Sequence, residues 1–358
     1  MKPKSVTLYD VAEYANVSYQ TVSRVVNRAA QVSEKTRLKV EAAMSALNYV
    51  PNRVAQQLAG KLSHTIGFAT TTLALHAPSQ IAAAIKSKAG ELQFNVVISM
   101  VEQPGPDATR AAVNSLLSQR VDGIIINIPL EDDDALAIQH ACGAVPALFL
   151  DVSPSVAARH SVFDPGLGAR LGVEHLVQLG HQHIALLGGP VNSVSARLRF
   201  DGWLQYLARH RLTPVAQMHG DWSSLSGYQQ VRQLLHEGIQ PGALLVANDQ
   251  MALGALRALH ESGLEVPRDV SVVGYDDTED SACFIPPLTT IKQDFKALGQ
   301  VSVERMVALI GGEPVPDDLL TVSLVERKTT AAPGSASPSA RQLADVLARL
   351  AYQVARLK

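Results

Sequence analysis

The stretch Leu8-Tyr-Asp-Val-Ala-Glu-Tyr-Ala-Asn-Val-Ser-Tyr-Gln-Thr-Val-Ser-Arg-Val-Val-Asn27 decides how the amino-terminal part of the chain folds. Thr7, with Asp10 three residues later, has the spacing of a capping box, which predicts the start of a first helix. Asn16 tolerates a left-handed backbone and therefore suits a sharp turn. Ser18 is a suitable N-cap for a second helix. The pattern predicts two short helices joined by a tight turn.

The outer face of the second helix carries side chains that can read base edges. Tyr19 and Gln20 begin this face, and Arg24 lies one turn later. Because Arg can bond guanine bidentately and Gln can do the same to adenine, the pair of helices matches a helix-turn-helix that reads the major groove. An ordinary helical hairpin with a polar outer surface is the alternative that the spacing leaves open.

The charge distribution favours the DNA-reading alternative. Residues 1–62 hold nine Lys and Arg against four Asp and Glu, a net charge of +5, whereas the remainder of the chain carries −7. A basic amino-terminal module in a near-neutral protein indicates a polyanionic partner for that module.

Composition restricts the class of protein. A length of 358 residues predicts two or three domains, and 47% hydrophobic with 18% charged residues is ordinary for a soluble protein with a sizeable core. No apolar run reaches the roughly 18 residues of a membrane span, and the first residues lack the apolar segment of a secretory signal. Cys142 and Cys283 lie far apart and predict neither a metal site nor a disulfide framework. We expect a cytoplasmic protein without a metal or other cofactor.

From His64 onward, short apolar runs alternate with amphipathic helical patterns. The runs that predict strands are Thr65–Thr70, Asn95–Val101, Gly123–Ile128, Ala147–Leu150, His183–Leu187, Ala243–Ala247 and Val270–Gly274. The helical patterns cover Pro78–Leu92, Asp107–Gln119, Leu167–Leu179, Val194–His210, Ser224–His236 and Asp249–Ser262. This alternation predicts parallel sheets covered by helices. Its length favours two subdomains over one doubly wound sheet.

Polar residues follow several of the predicted strands. Asp151, Asn248 and Asp276 each come after an apolar run, and Arg199 lies near the start of a helix. Ligands collect at the carboxyl ends of parallel strands, so these residues together predict a polar pocket. Each of the first three has an equally simple interpretation as the N-cap of the next helix.

The predicted pocket has the chemistry of a sugar site. Carboxylates accept hydrogen bonds from hydroxyls, Arg and Asn donate them, and an aromatic ring covers an apolar sugar face. Trp222 and Phe295 could supply such rings, although a core aromatic is the simpler interpretation of each.

Other functions stay open for the same residues. Asp151 and Asp276 could be the two carboxyl groups of a glycosidase. The run Gly166–Gly172 could be a dinucleotide-binding loop, although its glycine spacing is not the standard fingerprint. A transport-type periplasmic binder fits the core as well, but the basic amino-terminal module argues against it.

The end of the chain predicts self-association. Ala331–Pro338 has the composition of a linker, and Ser339 with Gln342 has capping-box spacing. An apolar stripe with steps of four and three follows, formed by Leu343, Leu347, Leu350, Val354 and Leu357. Such a stripe usually packs on its own domain, but the preceding linker favours packing against other copies of the chain.

The run Thr7–Asn27 closely resembles the helix-turn-helix of the lactose-repressor/galactose-repressor family, and the resemblance continues through Pro51–Gly60 to the end of the chain. It implies an α/β fold: a two-lobed core of parallel sheets like that of periplasmic binding proteins, preceded by an all-α headpiece and followed by an oligomerisation helix. The implied domains are a headpiece at 1–48, a hinge that orders on DNA at 49–62, a sugar-sensing core at 63–331, a linker at 332–338 and an oligomerisation helix at 339–358.

The resemblance also implies the limits of the two lobes. Lobe 1 would comprise about 63–162 and 294–320, so that Asp294–Leu309 returns to it. Lobe 2 would comprise about 163–293 and 321–331.

Residue roles follow from the same resemblance. The implied DNA-binding residues are Thr7, Ser18, Tyr19, Gln20, Thr21, Ser23, Arg24, Asn27, Asn52, Ala55, Gln56 and Leu58, the last matching a residue that wedges into the minor groove. The implied ligand-binding residues are Thr71, Ala77, Pro78, Ile81, Asp151, Phe163, Ser195, Arg199, Trp222, Asn248, Asp276, Gln293 and Phe295. Thr71 departs from the pattern of the galactoside-binding member, which has Ser there; the hydroxyl is kept and a methyl is added.

The resemblance implies a sugar-responsive transcriptional repressor and no enzyme. Such a protein binds a pseudo-palindromic operator in double-stranded DNA through its helix-turn-helix and hinge, and a galactoside-type inducer in the core releases it. It would repress a lactose-utilisation operon, form a homodimer through the core and a homotetramer through the carboxy-terminal helix, and have no membrane partner.

Overall fold

The computed structural model describes residues 6–26, 31–50, 62–316 and 319–334, together with Leu347. The chain divides into two compact units, Met1–His64 and Thr65–Lys358. The described residues therefore include little of the predicted hinge, and Leu347 is the only one of the predicted tail helix. The predicted domain limits stay predictions.

The first unit contains three helices, α1 (Leu8–Tyr14), α2 (Tyr19–Val26) and α3 (Glu34–Ala46). The predicted capping box at α1 is confirmed, because Asp10 accepts from the Thr7 backbone N–H at 2.7 Å and its own N–H donates to Thr7 Oγ1 at 3.4 Å. The left-handed turn is confirmed as well, with φ of 45° at Asn16. Ser18 Oγ accepts from the Thr21 N–H at 3.2 Å, as an N-cap does.

A small apolar core holds these helices together. It consists of Val11, Ala12, Ala15, Val22, Val25, Val40 and Ala43. The alternation of buried and exposed positions on α2 fixes the rotation of this helix, so its polar face points to solvent.

The second unit alternates strands and helices, as predicted. Its strands are β1 (Thr65–Thr70), β2 (Asn95–Met100), β3 (Gly123–Asn127), β4 (Ala147–Phe149), β5 (Ile184–Gly188), β6 (Ala216–His219), β7 (Ala243–Val246), β8 (Ser271–Asp276), β9 (Thr289–Lys292) and β10 (Ser323–Val325). Its helices are α4 (His76–Glu91), α5 (Pro106–Ser118), α6 (Asp132–Ala141), α7 (Pro165–Gln178), α8 (Val194–Arg209), α9 (Ser224–His236), α10 (Asp249–Glu261) and α11 (Phe295–Ile310). A 3-10 helix spans Glu279–Cys283.

Two separate sheets form two lobes. The sheet of lobe 1 has the parallel order β2-β1-β3-β4, and the sheet of lobe 2 has the order β10-β9-β8-β7-β5-β6. Helix α11 packs against α4, β3 and β4 of lobe 1, which confirms that the chain returns there after β9. The chain therefore crosses between the lobes after β4, after β9 and after α11.

One strand corrects the prediction of wholly parallel sheets. β10 pairs antiparallel with β9 at the edge of lobe 2. It reaches that edge directly from lobe 1, without the crossover helix that a parallel neighbour requires, so it can run in the opposite direction. Elements β6, β9, β10 and α6 had no strong sequence pattern and were absent from the prediction.

Candidate functional sites

The exposed face of α2 presents the predicted base-reading side chains. Tyr19, Gln20 and Arg24 are exposed, whereas Val22 and Val25 on the opposite face are buried. Tyr9 stacks on the Tyr19 ring with 4.6 Å between ring centroids, which restricts the first of these side chains. A polar helix face on a small rigid core has the geometry of a major-groove reader.

The other predicted DNA-binding residues fall into two groups. Thr7 and Ser18 are exposed and cap helices, while Thr21 and Ser23 are half-buried on α2. The remaining ones lie outside the described residues: Asn27, Asn52, Ala55, Gln56 and Leu58. Their contact with DNA stays a prediction.

A cavity of about 350 Å³ lies between the two lobes of the second unit. The predicted ligand-binding residues all line it, namely Thr71, Ala77, Pro78, Ile81, Asp151, Phe163, Ser195, Arg199, Trp222, Asn248, Asp276, Gln293 and Phe295. Strand ends bring these distant segments together, as the rule for parallel α/β sheets predicts. Their contact with a ligand is a proposal.

Arg199 is the central charged group of the cavity. It is 8% exposed, and its guanidinium donates to the Ala247 carbonyl at 2.6 Å and to Gln293 Oε1 at 2.7 Å. Its Nη1 lies 3.7 Å from Asp276 Oδ1, and its Cζ lies 4.0 Å from the centroid of the Tyr275 ring. These contacts fix the orientation of the guanidinium, so donors face the cavity in a defined direction.

Aromatic rings form the apolar part of the wall. Trp222 is half-buried, and a Cβ at Gly189 would collide with its indole, so only glycine leaves room for the ring there. Phe295 is 7% exposed and contacts Phe163 edge to face at 5.7 Å between centroids. Trp222 and Phe295 are therefore both packed residues and cavity walls.

The N-cap interpretation holds for one of the three polar residues at strand ends. Asn248 caps α10 because its Oδ1 accepts from the Met251 N–H at 2.9 Å, and its Nδ2 donates to the Trp222 carbonyl at 3.0 Å. Asp151 and Asp276 cap no helix, and each has one carboxylate oxygen that is buried without a hydrogen-bond partner. Both carboxylates are thus available to a ligand.

Burial controls the protonation of these carboxylates. Desolvation raises the pKa of Asp151, against the opposing effect of the Arg199 charge and of Ser195. Desolvation also raises the pKa of Asp276 to about 8, again opposed by Arg199 and assisted by the negative Asp249. A ligand hydroxyl that donates to either carboxylate would replace a hydrogen bond lost on folding.

The raised pKa of Asp276 predicts a pH effect on stability. Between the ordinary pKa of 3.8 and about 8 the folded state binds more protons than the unfolded state, so stability falls as pH rises through this range. We expect the free energy of unfolding of the wild type, measured relative to that of Asp276→Asn, to decrease by up to about 1.4 kcal/mol for each pH unit of increase. It should level off above pH 8.

Urea unfolding measured from pH 5 to 9 tests this expectation. Asp201→Asn is the control, because Asp201 is exposed on α8. A difference between wild type and Asp276→Asn that stays constant over this range would contradict the account of Asp276.

Tyr275 in the cavity wall and Asp249 behind it had no clear signal in the sequence. Tyr275 stacks under Arg199, but it lies inside a strand and has the pattern of a core residue. Asp249 is fully buried behind the cavity wall and follows Asn248 directly, so the sequence pattern assigns it to the first turn of a helix.

Cofactor sites are not evident in the described part of the chain. No group of three or more His, Cys, Asp and Glu side chains among the described residues is arranged to hold a metal ion. The glycines of Gly166–Gly172 serve packing, because a Cβ at Gly168 would collide with the Tyr275 hydroxyl and one at Gly172 would lie 3.2 Å from Leu245. No described helix is both long and apolar enough to cross a membrane.

The helix-turn-helix unit and the two-lobed core with its polar cavity define the class of ligand-responsive transcriptional regulators. The family model for the lacI family of bacterial regulatory proteins matches residues 7–52, and the model for the periplasmic binding protein-like domain matches residues 173–330. This chain belongs to the lacI family. It is a regulator and no enzyme, so the glycosidase and dinucleotide alternatives are set aside.

Curated relatives support this assignment along the whole chain. The chain is 65% identical to the lactose operon repressor of Escherichia coli K12, covering 100% of this chain and 99% of the relative. It is 44% identical to the lactose operon repressor of Klebsiella pneumoniae, with 92% and 93% covered. The ribose operon repressor of E. coli K12 is 33% identical, with 84% and 92% covered.

Solved structures show the same architecture. A lac repressor dimer bound to operator and the anti-inducer ONPF is 65% identical, covers 92% of this chain and 100% of its own, and has a TM-score of 0.88. A lac repressor bound to ONPG in the repressed state gives a TM-score of 0.87, with 91% and 100% covered. The regulator CelR in complex with cellobiose is 29% identical, with 90% and 99% covered and a TM-score of 0.66.

Proposed function

We propose that this protein is a sugar-responsive repressor of a lactose-utilisation operon. It binds a pseudo-palindromic operator and leaves it when a galactoside-type inducer occupies the cavity of the core. The observation that carries the proposal is the lining of this cavity, where Arg199, two buried carboxylates and two aromatic rings meet in a chain similar to lactose operon repressors.

The cavity residues divide the recognition of a galactoside among them. Asp151 and Asp276 accept hydrogen bonds from sugar hydroxyls with oxygens that have no hydrogen-bond partner in the folded chain. Arg199 donates to a sugar oxygen. Trp222 and Phe295 cover the apolar face of the ring, which favours a pyranose with C–H groups on one side.

The headpiece reads the operator. Arg24 and Gln20 bond base edges in the major groove, Tyr19 contacts the same half-site, and the basic residues elsewhere in the headpiece contact phosphates. The predicted hinge at 49–62 orders on DNA, where Leu58 enters the minor groove. A dimer formed through the core presents two headpieces to the two half-sites, and because its target is operator DNA the protein acts in the cytoplasm.

Coupling between the two ligands makes the protein a switch. Inducer in the cavity shifts the lobes, separates the hinge segments and weakens operator binding. By linkage, operator weakens inducer binding by the same factor.

A titration of operator affinity against a panel of sugars tests the proposed function. The panel holds methyl thiogalactoside, ONPG, lactose, ribose, cellobiose and glucose. We expect methyl thiogalactoside to weaken operator binding and ribose and glucose to have no effect. Release by a sugar other than a galactoside would reject the inducer class, and no operator release by any sugar would reject sugar control itself.

The carboxy-terminal tail joins two dimers in this proposal. Leu347, the one described residue of the apolar stripe, is 64% exposed. Deletion of residues 339–358, or Leu347→Ala with Leu350→Ala, should convert tetramers into dimers that still bind one operator and still respond to sugar. Loss of the second operator also removes the gain in effective concentration from looping.

Sedimentation at micromolar concentration measures this change. The control replaces Asp345 and Arg349, which the heptad pattern places outside the stripe, by Ala and should stay tetrameric. A full-length protein that sediments as a dimer would contradict a tetramerising tail.

A further inference from the structure

Asp249 is a buried carboxylate behind the cavity wall. It is fully buried at the start of α10, where its Oδ2 accepts from the Thr278 N–H at 2.8 Å and its Oδ1 accepts from the Thr290 hydroxyl at 2.6 Å. A Cβ at Gly274 would collide with Asp249 Oδ1, so the glycine makes room for the carboxylate beneath β8. Burying a carboxylate is costly, and desolvation raises its pKa to about 6. A fold that keeps such a group has a use for its two acceptor oxygens.

The backbone that Asp249 holds is an unusual turn. Asp276 and Asp277 both have positive φ, 116° and 57°, which residues other than glycine rarely adopt. Thr278, whose N–H donates to Asp249, follows directly. Backbone in such a conformation persists only when surrounding contacts determine it. The Asp249 carboxylate therefore holds the end of this turn in place through the Thr278 N–H.

The contact between Asp249 and Thr278 sets the direction of a side chain that lines the cavity. Asp276 is the first residue of the turn, and its carboxylate faces Arg199 and lines the cavity. Thr290, the second partner of Asp249, lies on β9, which pairs with β8 beside the turn. Asp249 thus connects α10, β9 and the turn at one point, while its own side chain lies outside the cavity lining.

We propose that Asp249 is a positioning residue for sugar binding: through Thr278 and Thr290 it holds the Asp276 turn in the conformation that aims the Asp276 carboxylate into the cavity. This inference rests on the proposed sugar-binding function. It assigns to Asp249 an effect on sugar affinity that leaves operator affinity unchanged.

A second contact at the turn has a different consequence. Arg327 and Lys292 both pair with the Asp277 carboxylate. These pairs hold the second residue of the turn by charge, but they make no contact with the Thr278 N–H. The Gln293 N–H also donates to the Asp276 carbonyl at 3.2 Å, so Asp249 is the residue that holds the Thr278 end of the turn.

Two substitutions at Asp249 separate positioning from general stability. Asp249→Ala removes both acceptors and should lower the affinity for methyl thiogalactoside by about tenfold or more, the effect of leaving a buried donor unsatisfied. Asp249→Asn keeps one acceptor for the Thr278 N–H and offers an amide to the Thr290 hydroxyl. It should restore affinity to within about threefold of the wild type, since the amide oxygen accepts from the Thr278 N–H and the amide N–H donates to the Thr290 hydroxyl, which turns from donor to acceptor. Operator affinity without sugar should change less than about twofold in either variant, because the hydrogen bonds of Asp249 to Thr278 and Thr290 lie within the second unit.

If Asp249→Ala does not fold, a matched pair of threonine variants decides whether Asp249 has the positioning role. Thr290→Val removes the hydroxyl that donates to Asp249, and Thr109→Val removes an equally buried hydroxyl that donates to the Gly105 carbonyl in lobe 1 at 2.7 Å. Both substitutions replace a threonine hydroxyl by a methyl group. We expect sugar affinity to fall in Thr290→Val and to stay at the wild-type value in Thr109→Val.

Crystal structures of the ligand-free variants give a readout that is independent of the sugar. In Asp249→Ala, or in Thr290→Val if the former does not fold, φ of Asp276 should leave the left-handed region. An unchanged turn, or equal sugar affinities for Thr290→Val and Thr109→Val, would overturn the positioning role. A wild type that binds no galactoside would reject the proposed function, while the variant structures would still decide whether Asp249 holds the turn.

Discussion

Arg199→Ala abolishes the response to sugar and leaves operator binding intact, if the cavity is the inducer site. The substitution removes the donors to the Ala247 carbonyl and to Gln293, and it leaves the buried Asp276 carboxyl group without the guanidinium that lies 3.7 Å away. Because a charge-assisted hydrogen bond contributes about 1.5–3 kcal/mol, we expect sugar affinity to fall by roughly 100-fold. The headpiece is unchanged, so operator affinity without sugar should equal that of the wild type.

Operator release measured against increasing methyl thiogalactoside shows this loss. Arg209→Ala is a matched control, since Arg209 lies on the same helix, is exposed and stacks on Tyr206 away from the cavity. Circular dichroism establishes that both variants fold. Normal release in a folded Arg199→Ala protein would disprove the assignment of the site.

Arg24→Ala has the second largest expected effect, on the choice of DNA sequence. The Arg24 side chain is exposed on the reading face of α2, where it can bond a guanine bidentately. Its removal should cost roughly 1–3 kcal/mol of operator affinity and relax the preference at one position of each half-site. Gln20→Ala should do the same at another position.

Affinities for the operator and for random DNA distinguish base reading from charge attraction. Lys39→Ala changes the net charge by the same amount from the exposed surface of α3 and should weaken binding to both DNAs about equally. Arg24→Ala should weaken operator binding far more than random binding. Equal losses for both DNAs in Arg24→Ala would remove it from the base-reading set.

Short-range sequence signals were sufficient to predict the helix caps and the turn of the first unit. Thr7 with Asp10, Asn16 and Ser18 each mark a cap or a turn, and all of them take that conformation in the structure. The strands other than β6, β9 and β10 are apolar runs, which is why their limits were predicted to within two residues. Patterns of this kind depend on neighbours in the sequence only.

Long-range features were predicted less well. The Thr289–Lys292 strand holds hydroxyls that bond Thr330 and Asp249, so its residues have no apolar run. The antiparallel edge strand β10 is three residues long, and its direction depends on where the chain leaves lobe 1. Neither property is contained in a local window.

The cavity was predicted in its composition and not in its internal connections. The rule for strand ends brings Asp151, Asn248 and Asp276 together, and the resemblance to a family supplies the apolar lining. Asp249 and Tyr275 act from behind these residues, and their roles depend on contacts that only the folded chain reveals. Sequence reasoning therefore found the groups that line the cavity and missed those that contact them from behind.

Coupling between sugar and operator is the central claim, and a thermodynamic cycle measures it most directly. Calorimetry gives the affinity of the full-length protein for methyl thiogalactoside with and without operator, and a parallel titration gives operator affinity with and without saturating sugar. The account predicts that each ligand weakens the other by one and the same factor. Sugar affinity that is identical in the presence and absence of operator would contradict it.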